Sequence, residues 1–496
     1  MRGCFNLHLV CLWFSLIGFR IIPEVLAGGF PIGFDTVTYY APFIRGVQTL
    51  GFNSLLRVLF SQTAPLMYFI LFPLGLTGVP PILLTKIVSP IIFGFTGLAV
   101  FTVLKDVLKI SRGEAVLLAF FMCVNFMVLR FSWDMWRNSL GLIFYLLCFR
   151  ELTFFDLNRR VGFKLLLFSL LSATSSELTA VLVAATMCLG GLHKLIKIRR
   201  LTSFTVILFI IGCLSGVLVF YYAHILQVFT PMPPDYPLEF ISGAGGFASF
   251  QYDYIGGGGW YGFENYSEAV LTPIIIFLFI SAPILPLLFK QKFECKWVNI
   301  FLLTCLIGSV SIIIFPYAAI PVWHRWMFML VFPLLFYASK KLSSLGKRLK
   351  YGYFTLILVF GLGYAVLPPS TPFPYYSISS ITYKYIPTSM LQNSISLEDS
   401  PSVITVLNWL DTYGFSNSCL MAYEPFMGWS RLYLQGDITI IPYDLSTSML
   451  DLGLEYYDNV YVIWWIRGTG WYDWTPPPSL IEVFSSGDIA VYIYSP

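Results

Sequence analysis

The 496-residue chain is 57% hydrophobic and 18% aromatic but only 11% charged, where soluble domains carry roughly 25% charged residues. This excludes an ordinary soluble enzyme and reads as a mainly α, polytopic membrane protein. The net charge of +4 does not argue for nucleic acid, because Lys and Arg gather at the ends of apolar runs, where membrane insertion puts them.

At the N-terminus, Arg2, an apolar run and Val25-Leu26-Ala27 resemble a secretory signal with a small-residue cleavage site. The run is long for a signal, and Arg20 and Glu24 stand one helical turn apart, where they can pair at the membrane boundary. Residues 9–27 are therefore expected to be a retained anchor. Apolar runs predict further spans near 82–104, 114–130, 138–152, 163–176, 178–196, 202–224, 269–289, 297–317, 326–339 and 352–368. These make about eleven crossings in a membrane domain over 1–368, with external loops at 28–81 and 225–268.

Charge orients this arrangement. The clusters Lys105/Lys109/Arg112, Arg150/Arg159/Arg160/Lys164, Lys194/Lys197/Arg199/Arg200, Lys290/Lys292/Lys296 and Lys340/Lys341/Lys347/Arg348/Lys350 all fall on one side. The positive-inside rule makes that side cytoplasmic, with the N-terminus there and the C-terminus outside the cell membrane. Residues 63–80, "TAPLMYFILFPLGLTGVP", are broken by Pro65, Pro73 and Gly75 and read as interfacial or re-entrant. A crossing there would invert every later loop. Residues 225–268, rich in Pro, Gly and aromatics, read as a functional lid or a disordered segment, with Gly256 to Gly259 as a hinge.

Residues 369–496 are polar enough to fold in water. From Pro401 onward, helix-like and strand-like stretches alternate, which predicts a small external α/β domain. Pro401 suits the first turn of its first helix and Gly414 the end of it. Of nine cysteines only Cys419 falls in this part, so neither a disulfide framework nor a paired-cysteine metal site is available.

In this topology Asp35 of "GFDTVTYY" lies in the first external loop. Asp134 of "RFSWDMWRN" lies at the second external junction and Glu177 of "SATSSELTA" at the third. Three carboxylates thus share one face with Arg137 and with His324 and Arg325 of "IPVWHRWMF". Each has a structural alternative. Asp134 could cap the following helix, and His324 between Trp323 and Trp326 fits an aromatic belt. Glu177 sits in a turn or break at membrane depth, where an acid costs about 2.5–3.5 kcal/mol on insertion scales. Arg325, in the first turn of a span, opposes the helix dipole, which a bound anion would relieve. Asp35 follows Gly28, Gly29 and Gly33 and precedes Tyr39 and Tyr40, as a lone carboxylate in a closely folded loop; capping is its alternative.

The order of these parts resembles the GT-C class of membrane glycosyltransferases, which includes protein O-mannosyltransferases, aminoarabinose transferases and oligosaccharyltransferases. A first span is followed by "GFDTVTYY", then "APLMYFILFPLGLTG", "FSWDMWRNSLGLIFYLL" and "SSELTAVLV", then an arginine at the outer end of a late span and an external C-terminal domain. The layout is similar to that of archaeal members. Two departures stand out. A "WWDYG" string is absent, with only "GWYDW" at Gly470 to Trp474, so sequon glycosylation is not implied. Ser176 also stands where relatives often have histidine.

The resemblance implies a polyprenyl-phosphate-linked sugar as donor and an external protein, lipid or glycan as acceptor. Asp35 would be the general base, and Arg325, with Arg137 or Lys86, would neutralise the leaving phosphate. Asp134 and Glu177 would orient hydroxyls or hold a divalent metal, with Tyr39, Tyr40 and His324 lining the substrate site. No cofactor is assigned, since two dispersed acids are too few to assert a metal. The rival reading is a transporter or flippase of a lipid-linked or small polar solute, which would place its charges near the bilayer midplane and show two related halves. A third is a receptor-like protein whose external domain binds a partner.

Overall fold

The computed structural model describes residues 7–60, 64–158, 163–220, 266–289, 294–314, 323–366, 393, 395–435, 438–443, 445–466 and 475–496. The protein is mainly helical. Helix α1 (Leu7–Leu26) leads through a π-helical turn (Thr36–Tyr40) into the short helices α2 (Ala41–Leu50), α3 (Phe52–Phe60) and α4 (Leu66–Gly75). Then follow α5 (Pro81–Thr102), α6 (Arg112–Val124), α7 (Phe126–Asp134), α8 (Trp136–Asn158), α9 (Phe163–Ser175), α10 (Glu177–Ile198) and α11 (Ser203–Phe220). The helical part closes with α12 (Tyr266–Ser281), α13 (Leu285–Leu288), α14 (Lys296–Ile314), α15 (Trp323–Ser344) and α16 (Lys347–Val366).

Among the described residues each apolar run expected to span contains helix, but eleven crossings are not supported. Four helices among the described residues are long and apolar enough: Leu7–Leu26, Pro81–Val107, Glu177–Ile198 and Lys347–Val366. A fifth arises if α6 and α7, bent by 64° at their break, count as one. The reason is length and charge. Thirteen residues in Phe163–Ser175 reach only about 20 Å at 1.5 Å per residue, short of a core of about 30 Å. Helices α8 and α15 are longer but carry Arg137, Arg150 and Glu151, and Arg325, Lys340 and Lys341, near both ends. Leu66–Gly75, inside the segment expected to be re-entrant, has ten residues, or about 15 Å. At the break between α6 and α7, Asn125 starts a new helix by accepting the amide of Met127 at 3.0 Å, an N-cap that satisfies one of the exposed donors there.

Large apolar side chains such as Phe14, Val25, Val217 and Val359 are at least 60% exposed, a surface suited to lipid rather than water. Inside, α1 packs along α5, α5 against α8, and α8, α9, α10 and α11 in sequence. Their shared core buries Trp133, Trp136, Tyr145 and Tyr364. Polar groups within it are matched, as where Tyr145 and Thr186 share a hydrogen bond of 2.7 Å. The expected pairing of Arg20 with Glu24 is present at 2.9 Å. Basic segments far apart in sequence are tied by ion pairs: Arg150 with Asp106 at 3.0 Å, Lys340 with Glu294 at 2.8 Å, and Lys350 with Glu114.

The C-terminal part holds a five-stranded sheet in the order β2-β1-β3-β5-β4. The strands are β1 (Ser418–Ala422), β2 (Thr439–Pro442), β3 (Asn459–Trp465), β4 (Leu480–Ser486) and β5 (Ile489–Tyr494). Its helices are α17 (Ser400–Tyr413), α18 (Glu424–Tyr433) and α19 (Thr447–Tyr456). Strands β2, β1 and β3 are parallel, with Cys419 opposite Thr439 and Val460, while β5 and β4 add antiparallel. Parallel strands need crossover helices, which α18 and α19 provide. As expected, Pro401 lies in the first turn of α17, and Gly414 closes that helix by donating its amide to Leu410 at 2.8 Å.

Helix α18 rests on the π-helical turn and on α2, and Val37 of that turn belongs to the apolar core of the sheet domain. The expected lid at 225–268 and the "GWYDW" string fall outside the described residues, apart from the first residues of α12.

Candidate functional site

The site forms where the chain leaves α1. Gly33 has a φ of 96°, a left-handed value that a side chain would strain, and it turns the chain into Phe34 and Asp35. Thr38 holds the turn by donating its hydroxyl to the carbonyl of Phe34 at 3.0 Å. Asp35 stands at the N-terminal edge of the π-helical turn but makes no capping bond to it, so capping does not account for this acid. Its residue is 4% exposed. Arg325, third residue of α15, brings Nη2 to within 3.7 Å of Asp35 Oδ2. The Thr36 hydroxyl next to it is buried without a hydrogen-bond partner among the described residues.

A second pair lies alongside. Glu177 is the first residue of α10, whose N-cap is Ser176, accepting the amide of Leu178 at 3.2 Å and donating its hydroxyl to Asn138. An acid in a first turn is favoured by the helix dipole. Glu177 Oε1 accepts from Arg137 Nη1 at 3.1 Å and from the amide of Ala64, just before α4, at 3.2 Å. Its side chain stays 41% exposed, able to meet a ligand.

Tyr40 joins the two pairs. Its ring stacks on Trp136 with centroids 4.4 Å apart, and its hydroxyl accepts the amide of Arg137 at 3.4 Å. Burial pushes the Tyr40 hydroxyl well above its ordinary pKa, and the negative charge of Asp35 adds to this against the opposing pull of Arg137. Tyr40 is therefore a neutral hydrogen-bonding group at physiological pH, not a base. Tyr39, by contrast, is 42% exposed.

The structure thus brings together Asp35, Arg325, Tyr40, Arg137 and Glu177. Asp134 is the last residue of α7, with Met135 between it and α8. The side chains of Asp134 and His324 lie outside the described residues. Lys86 meets the carbonyl of Glu24 at 2.7 Å and its carboxylate at 3.5 Å. Sequence reasoning passed over Arg130, which is fully buried in α7 with its guanidinium 6.0 Å over the ring of Phe328 on α15. A lone cation inside "FMVLRFSW" was the signal for it.

Among the described residues no three His, Cys, Asp or Glu side chains converge. Asp35 and Glu177 each face an arginine, a donor set that does not fit a hard divalent ion, which wants several oxygens. Comparison with models of protein families gives no match, and comparison with curated proteins gives none.

Proposed function

We propose that this chain is a membrane glycosyltransferase of GT-C type, moving a sugar from a polyprenyl-phosphate-linked donor to an acceptor on the external side. The observation that carries the reading is the facing of Asp35 and Arg325 at 3.7 Å, beside the Arg137–Glu177 pair. A charge-assisted hydrogen bond is typically about 2.7–2.9 Å, so this contact is loose enough to open around a substrate. The orientation follows from charge: the end at which Lys105, Arg150, Lys340 and Lys350 gather is cytoplasmic, and the Asp35 end faces outward.

In this reaction an acceptor hydroxyl gives its proton to Asp35 as its oxygen bonds to the anomeric carbon. The bond from that carbon to the phosphate oxygen breaks, its electrons leave with the lipid phosphate, and the anomeric centre inverts. A base needs hydrogen-bond reach to the proton it takes. Negative charge grows on the leaving phosphate, where fixed cations lower the barrier most; Arg325 supplies one and Arg137 a second. Tyr40 and Glu177 orient hydroxyls, with Asp134, His324 and Tyr39 as further contacts.

The test is transfer from a labelled polyprenyl-phosphate sugar by the purified protein in lipid. Asp35→Asn should insert and bind donor normally while transfer falls by about 10²–10⁴-fold, with Asp35→Glu partly active. Near-normal transfer by Asp35→Asn would move the base to Asp134 or Glu177. Unchanged surface glycans and lipid-linked sugars in cells lacking the protein would remove the glycosyltransferase reading.

A further inference from the structure

We infer that the C-terminal domain is a working part of this site: Asn393 and Gly428 are positioning residues that set where Asp35 stands. Two contacts bracket Asp35 along the chain. Before it, the amide of Gly33 donates to Asn393 Oδ1 at 2.6 Å, and Asn393 is itself buried. After it, α18 lies directly on the backbone of the turn. A Cβ added to Gly428 would stand 2.2 Å from the carbonyl oxygen of Val37 and 2.6 Å from the Cα of Thr38, so only glycine permits this approach.

The turn between these contacts is held from two directions. Val37 is sunk in the apolar core of the C-terminal domain with Phe426 and Met427, whereas Tyr40 belongs to the core of the membrane domain. The turn is π-helical, with the amide of Ala41 reaching back to the carbonyl of Thr36. Such turns are rare and cluster at functional sites. Asp35 lies between the two contacts, two residues after Gly33 and two before Val37, so the place of its backbone follows the place of the turn that they hold. A shift of Val37 and Thr38 would carry Asp35 with them and change its separation from Arg325.

The positioning role concerns the place of Asp35 and holds whatever Asp35 does, so its test requires no sugar transfer. Full-length protein in lipid is treated with a water-soluble carbodiimide and an amine, and labelling is read by mass spectrometry at Asp35, at buried Glu24 and at exposed Glu482. Gly428→Ala and Asn393→Ala should each raise labelling of Asp35 several-fold. Glu24 should stay protected and the buried thiol of Cys419 unreactive. Two results overturn the inference: Asp35 labelling that stays at the wild-type level in either variant, or labelling that rises only together with Glu24 and Cys419. The first shows a contact without consequence and the second a general loss of structure. Failure of the glycosyltransferase reading would appear as absent transfer by the wild-type protein while Asp35 labelling still rises in both variants, and is thereby distinguished.

Discussion

Glu24 is the sharpest place to test how this protein carries charge inside its helical core. Arg20 has no exposed surface and is 2.9 Å from Glu24. Its Nε donates to Ser132 Oγ at 3.0 Å and its Nη2 to Ser89 Oγ at 2.8 Å, while the guanidinium lies 4.6 Å over Trp133. Lys86 supplies a second cation to the same acid. Glu24→Gln keeps shape and some hydrogen bonding but leaves two cations facing no carboxylate. Removing one partner of a buried pair typically costs about 3–5 kcal/mol. The serine hydrogen bonds survive, as does a cation–π contact worth about 0.5–2 kcal/mol, which puts the expected loss near the low end, about 3 kcal/mol. The assay is denaturation of the full chain in detergent micelles, run as a cycle with Arg20→Met. The double variant should be less destabilised than the sum of the two singles, with a coupling of at least about 1 kcal/mol. Additive losses, or a Glu24→Gln loss below about 1 kcal/mol, would mean that water reaches the cluster and that the pair contributes no more than a surface salt bridge.

Arg325→Ala should weaken binding of a polyprenyl-phosphate donor by about 1.5–3 kcal/mol, roughly ten- to a hundredfold, measured by donor titration. Undiminished affinity would leave Arg325 as a counter-ion to Asp35 alone. A cysteine at Ser111 should react with impermeant probes only from the cytoplasmic side, and one at Ser485 only from outside; reaction of the Ser111 probe from outside would mean that residues 63–80 cross the membrane. Burial pushes the Cys419 thiol up to about 12, so at pH 8 only about one molecule in ten thousand is thiolate, the form that alkylates. The folded domain holds this proton where the unfolded chain, titrating near 8.5, releases it; stability should therefore decline as pH rises from about 8.5 toward 12. Alkylation of Cys419 at the rate of a free thiol in the native protein would contradict this.

Local chemistry was legible along the chain. Arg20 and Glu24 could be paired from their spacing of four, because one helical turn brings them together. The ends of α17 could be read from Pro401 and Gly414. The number of crossings could not be read in the same way. Apolar composition does not tell a helix that faces lipid from one shielded by its neighbours, and Phe163–Ser175 is apolar but too short to span. Lys86 shows the same gap for charge: its place in the chain did not reveal that Glu24, 62 residues earlier, engages it.

What the sequence determined by itself is what depends on side-chain polarity and short spacing. This covers a mainly helical protein with apolar helices suited to a membrane, basic clusters at chosen helix ends, a polar α/β domain at the C-terminus and a set of charges at helix boundaries. Tertiary structure alone decided which of those charges meet. Asp35 faces Arg325 from the far end of the helical part, Arg137 bonds Glu177 across a helix hairpin, and Asn393 and Gly428 of the C-terminal domain close on the turn that carries Asp35. These pairings depend on how helices pack and on where a glycine lets two backbones touch. No spacing along the chain encodes them, because each joins segments whose separation is set only when the core between them is filled.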